Sequence, residues 1–176
     1  MQHWIAAKKV LRYIQRTKDF RLIYRRSDQL ELIRYSGIDF AGCVDTKKPT
    51  SGYIFMMVGG VVSWKSMKQS TIALSTMEAE FIAFHEASNQ ALWLQSLFLG
   101  LRVLEHVLKP RRIFCNNSAA ISFSSNNKNS SRSKHIDIKY LIVKDKVQNH
   151  HVYVEFISTK QMIADPLTKG LLIMPF

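Results

Sequence analysis

The chain has 176 residues, 47% of them apolar, which is enough for one domain with its own core. Twenty-five Lys and Arg against 13 Asp and Glu leave a net charge of +12, which points to a polyanionic partner, with nucleic acid the first reading. Two cysteines, Cys43 and Cys115, far apart and with no CxxC or paired Cys/His spacing, argue against structural zinc and read as small buried apolar residues in a reducing compartment.

Trp4, Ala7, Leu11 and Ile14 recur at helical spacing. Lys8, Lys9, Arg12 and Arg16 lie mostly off that stripe, so the start is a basic amphipathic helix. No apolar core follows Met1-Gln2-His3-Trp4, so a signal peptide is not expected; the expected setting is intracellular, cytoplasmic or nuclear, not secreted. Residues 21–24 and 30–35 are strand-like, and 36–49 is a polar stretch containing glycine. Residues 52–58 and 61–65 are β-rich runs joined by Gly59-Gly60, a hairpin signal. The apolar run through 53–64 is broken by those glycines and falls short of the ~20 residues that a membrane span needs.

Ser75-Thr76-Met77-Glu78 is a capping box, predicting a long helix to about Leu99 with Gly100 as its stop. Phe84, Ala87, Ala91, Leu94 and Phe98 form its apolar stripe. Residues 111–115 are a strand, and a helix begins near Asn117. Residues 124–133 are Ser, Asn, Lys and Arg with almost no apolar content, a loop composition. Ile136, Tyr140, Val143 and Val147 mark another helix, with Lys139, Lys144 and Lys146 on its wet face. Residues 152–157 alternate as a strand, and 163–169 predict a last short helix. Helices interleaved with single strands give an α/β fold with mixed pairing.

Glu80 is the most informative residue. It stands in column with the apolar stripe of the long helix, where a carboxylate is seldom found unless paired or bound to metal. A first-turn glutamate can simply complement the helix dipole. Glu78 already fills the cap, which favours a metal or ligand role for Glu80.

Several segments resemble the RNase H portion of copia-type LTR retrotransposon Pol polyproteins. They are Tyr35-Ser36-Gly37-Ile38-Asp39-Phe40-Ala41-Gly42-Cys43, Thr50-Ser51-Gly52-Tyr53, Ser63-Trp64-Lys65-Ser66 and Ala73-Leu74-Ser75-Thr76-Met77-Glu78-Ala79-Glu80-Phe81. Ser133-Lys134-His135-Ile136-Asp137 and Ala164-Asp165-Pro166-Leu167-Thr168-Lys169 follow in the same order. The opening helix resembles the tail of the adjoining reverse transcriptase. The resemblance implies an RNase H-like fold, a mixed five-stranded sheet flanked by helices, with a short N-terminal helix/strand appendage. The corresponding division is a reverse-transcriptase remnant over 1–29, the RNase H-like domain over 30–170 and a tail over 171–176.

It also implies hydrolysis of the RNA strand of RNA–DNA hybrids, with four carboxylates holding two Mg²⁺ ions roughly 3.5–4 Å apart. Magnesium is hard and prefers oxygen, hence carboxylates rather than histidine or cysteine. Carried over by position, the ligands fall on Gly37, Glu80, Asn116 and Asp165. The family's first aspartate is replaced by Gly37 and its third by Asn116. Glu80 and Asp165 remain as metal residues. Taken alone, Asp165-Pro166 reads as an N-cap with proline at N1; the resemblance makes Asp165 a former ligand. Asp39 shares a strand face with Gly37 as a substitute, but its Cα is displaced by roughly 6.5–7 Å.

Lys65, Lys68, Gln69, Ser70, Asn117, Ser118, Arg132 and Lys134 are the candidate contacts to phosphates and 2′-hydroxyls. The expected partners are an RNA–DNA hybrid or other nucleic acid and the reverse transcriptase part of the same polyprotein, with no membrane. The reading is a nucleic-acid-binding RNase H-like domain with impaired cleavage. Its rivals are an active ribonuclease H using Asp39, a non-enzymatic basic interaction module, and a decayed fragment without a role.

Overall fold

The computed structural model describes residues 1–24, 26–27, 30–40, 48–102, 111–125 and 134–170. Helix α1 (Gln2–Thr17) is followed by three strands, β1 (Leu32–Asp39), β2 (Thr50–Met57) and β3 (Gly60–Lys68). Then come α2 (Thr76–Gly100), β4 (Arg111–Cys115), α3 (Ser118–Ser125), α4 (Lys134–Gln148) and β5 (Val152–Phe156). Two single 3-10 turns, Thr159–Gln161 and Asp165–Leu167, come last.

The sheet order is β3-β2-β1-β4-β5. β1, β2 and β3 pair antiparallel, while β4 runs parallel to both β1 and β5. This is the mixed five-stranded α/β sheet expected. Parallel neighbours cannot be joined by a hairpin, so α3 and α4 lie in the connection from β4 to β5, while α2 lies in the crossover from the edge strand β3 to β4 beside β1.

The core lies between the sheet and α2. Leu32, Tyr53, Phe55, Ile113 and Cys115 pack with Phe81, Phe84, Ala87, Ala91 and Leu94, and α4 adds Tyr140 and Val143. Alanines let the long helix lie close to the strands. Its start is held by the expected cap: Ser75 Oγ accepts from the Glu78 N–H at 3.2 Å, and Glu78 Oε2 accepts from the Leu74 N–H at 2.6 Å.

Several elements differ from their sequence expectation. Residues 21–24 form no strand; Tyr24 instead lays its ring on Gly60 and donates its hydroxyl to the Val61 carbonyl at 2.6 Å. β1 continues to Asp39 because β2 pairs with it along its full length, which buries the polar Ser36 and Gly37. The hairpin turns on Val58 (φ 51) and Gly59 (φ 78), the positive φ at both central positions that a type I′ turn needs. Gly60 opens β3 instead. At the end of α2, Gly100 stays helical and Arg102 takes the positive φ of 53. The last helix expected, over 163–169, is a single 3-10 turn at Asp165–Leu167, and a separate turn at Thr159–Gln161 precedes it. Lys144, expected on the wet face, is only 8% exposed, its ammonium lying 5.7 Å from the Tyr140 ring centroid. Cys115 is buried, as expected, whereas Cys43 lies outside the described residues.

The C-terminal turn crosses a row of small residues. Gly37, Gly52 and Ser66 are register partners on β1, β2 and β3. Ser66 Oγ donates to the Leu167 carbonyl at 2.6 Å. A Cβ on Gly52 would meet Thr168 Cγ2 at 2.6 Å and Leu167 Cβ at 3.1 Å. Gly52→Ala should therefore lift the turn and cost about 1–3 kcal/mol, read as a lower denaturant midpoint. An unchanged midpoint would show that the turn is not seated against β2.

Candidate functional site

Three of the four carried-over positions meet at the carboxyl end of the parallel strands β1 and β4, and the fourth follows directly. A Cβ built on Gly37 would lie 3.5 Å from Asp165 Oδ1, 3.7 Å from Ala164 Cβ and 3.9 Å from Met162 Cγ. Glu80, in the first turns of α2, is 3% exposed. Cys115, the last residue of β4, places its Sγ 3.9 Å from Glu80 Oε2. Asn116 is the next residue along the chain and is half-buried.

Among the described residues, Asp165 and Lys169 form an ion pair here with the Glu80 carboxyl alongside. Lys169 Nζ lies 2.9 Å from Asp165 Oδ2. Asp165 Oδ1 is buried without a hydrogen-bond partner. Burial pushes the Glu80 carboxyl up to about 8; the Lys169 charge pulls it back, and Asp165 adds to the rise. Burial, with Glu80 alongside, pushes the Cys115 thiol far up, so it packs as a neutral group despite the opposing Asn117 backbone bond.

These side chains do not fit a pair of Mg²⁺ ions. Among the described residues, no three of His, Cys, Asp and Glu gather to hold a metal. Asp39 therefore does not complete a three-carboxylate set with Glu80 and Asp165. Glycine offers no ligand at position 37, and one oxygen of Asp165 already holds an ammonium.

The expected nucleic-acid contacts divide into two groups. Lys65, Lys68, Ser70 and Ser118 are exposed. Gln69 is not: it is 1% exposed, its Nε2 donating to Ser51 Oγ at 2.7 Å and to the Ala79 carbonyl at 2.8 Å. Gln69 ties the end of β3 to the first turns of α2, which is why it is buried rather than exposed. Asn117 spends its side-chain oxygen on the Ala120 N–H at 3.1 Å, capping α3. Arg132 lies outside the described residues; Lys134 opens α4, but its side chain is not described. Sequence reasoning missed the role of Lys169, although its i,i+4 spacing from Asp165 was a signal.

No protein-family model matches the chain. Over 170 residues, 96% of its length, it is 38% identical to the retrovirus-related Pol polyprotein from transposon TNT 1-94 of Nicotiana tabacum. Over the same length it is 36% identical to the Pol polyprotein from transposon RE2 of Arabidopsis thaliana. The chain is homologous to the Pol polyproteins of copia-type retrotransposons. It spans only 12% of the length of each of these two relatives. A 92-residue stretch is also 48% identical to a Plasmopara viticola protein named secreted RxLR effector protein 161, covering 65% of it.

Solved structures it resembles include RNase H domains. The N-terminal RNase H domain of a Mycobacterium tuberculosis protein aligns with a TM-score of 0.54 at 9% identity, covering 80% of this chain and 91% of that one. LC11-RNase H1, solved with an RNA/DNA hybrid, aligns at 0.53 and 13% identity, covering 77% and 92%. The chain has the RNase H-like fold.

Proposed function

We propose that this retrotransposon-derived RNase H-like domain binds RNA–DNA hybrid and cleaves it poorly. The observation that carries this is the junction of Gly37, Glu80 and Asp165. Two carboxylates remain there, one of them paired to Lys169, and the position beside Asp165 has no side chain. The ancestral chemistry was two-Mg²⁺ hydrolysis of the RNA strand, and Glu80 and Asp165 are its remaining ligands.

Binding draws on a different surface. Lys65, Lys68, Ser70 and Ser118 offer exposed donors around the same end of the sheet, and the net charge of +12 favours any polyanion. A neighbour of the same fold carries an RNA/DNA hybrid, which supports hybrid as the ligand class. The reverse transcriptase part of the polyprotein is the second partner, and the setting is intracellular.

Hybrid affinity should fall steeply with salt, since each neutralised phosphate releases counterions with a log–log slope of about −0.9 per contact on duplex DNA. Fluorescence anisotropy across a salt series, with Mg²⁺-dependent cleavage of the same labelled hybrid measured in parallel, tests both halves. Salt-independent binding, or none at low salt, removes nucleic acid as the partner. Rapid cleavage by the unaltered chain removes the impaired site.

A further inference from the structure

The Lys169 ammonium stands where the retained carboxylates would otherwise need a cation from solution. Asp165 Oδ2 holds it at 2.9 Å, with the Asp165 side chain 14% and the Lys169 side chain 38% exposed. Glu80, buried on α2, feels the same charge. The pair sits on the C-terminal turn, which is itself fixed to the sheet by the Ser66 hydroxyl and by close packing over Gly52. Lys169 thus arrives with the turn that brings Asp165, and folding seats both together.

We propose that Lys169 is a built-in counter-cation that closes the Glu80–Asp165 pair, so that in the absence of nucleic acid the folded domain takes up no divalent metal there. An ammonium brings one charge and three donors and is tethered to the chain. A divalent ion must shed water to reach two carboxylates, with no third ligand gathered beside them among the described residues. The tethered cation has the advantage because its local concentration is set by four residues of chain rather than by the solution.

The inference is independent of hybrid binding, and its test contains no nucleic acid. Mn²⁺, a spin-active stand-in for Mg²⁺, is titrated into the full chain, and bound ion is followed by electron paramagnetic resonance beside thermal melts. The parent should bind no Mn²⁺ at this pair and melt alike in EDTA and in Mn²⁺. Lys169→Met should melt lower in EDTA, recover in Mn²⁺, and bind the ion at least about tenfold more tightly than the parent. Lys169→Arg keeps a cation and should behave as the parent does. Adding Asp165→Asn to Lys169→Met should abolish the new binding, which assigns it to this pair. If Lys169→Met does not fold, the parent and Lys169→Arg still decide the matter. Mn²⁺ binding by either that is lost on Asp165→Asn overturns the proposal. A folded Lys169→Met that neither loses stability nor gains Mn²⁺ overturns it too.

Discussion

Gly37→Asp combined with Asn116→Asp should raise Mg²⁺-dependent cleavage of RNA–DNA hybrid by at least about 100-fold over the parent, the scale on which one preorganised electrostatic group moves turnover. Each change alone should gain far less, since ligands acting as a unit are not additive. The structure has room at the decisive position. A Cβ on Gly37 meets its neighbours at 3.5–3.9 Å, ordinary contact distances, and one of those neighbours is Asp165 Oδ1. That proximity also puts two carboxylates side by side. The double variant should therefore melt below the parent in EDTA and regain stability in Mg²⁺. Glu80→Gln in the same background should abolish the gain in cleavage. A folded, hybrid-binding double variant without Mg²⁺-dependent cleavage would mean that the loss extends beyond the two ligands. Rapid cleavage by the parent that survives Asp39→Asn would place the chemistry on other residues.

The second large effect concerns stability and pH. Glu80 has an ordinary value of 4.5 that burial raises to about 8 in the folded domain. The folded state therefore holds the proton more tightly than the unfolded chain does. Its contribution is fully present below pH 4.5 and is lost as pH rises through about 8. A tenfold change in proton affinity between the two states is worth about 1.4 kcal/mol, so the loss across that window is on the order of a few kcal/mol. Glu80→Gln keeps the shape and removes the titration. The variant and the parent should have similar stability near pH 4, and the variant should be the more stable at pH 9. Urea unfolding at both pH values, without added metal, reads the difference. A variant that is less stable at pH 9 would show that the Glu80 charge is better compensated than its burial implies.

Much of the site is legible in the residues alone. Glu80 stands out because a carboxylate on an apolar helical stripe conflicts with its surroundings, and it is in fact almost fully buried. The capping box locates the start of α2 because it is a local hydrogen-bond pattern, complete within five residues. Gln69 and Lys144 mislead for the opposite reason. Polar and long side chains are solvated by default, and only a neighbour distant in sequence, or a ring one turn back, shows that they are not. Ser36 and Gly37 likewise look like part of a polar stretch, whereas pairing with β2 makes them buried strand residues.

The sequence by itself determined the α/β class, the helix start at Ser75, a glycine at 37 and an asparagine at 116, and the kinship with retrotransposon Pol polyproteins. These follow from residue identity, local periodicity and motif order, which need no distant contact. Only the tertiary structure decided that Gly37 and Asp165 are neighbours across 128 residues of chain, counted from their numbers. It alone seated the C-terminal turn on the Gly37–Gly52–Ser66 row, and it alone showed Lys169 paired to Asp165 beside Glu80. Register and turn docking depend on close packing between elements far apart in sequence, and no one-dimensional pattern encodes which small residues will lie under which turn.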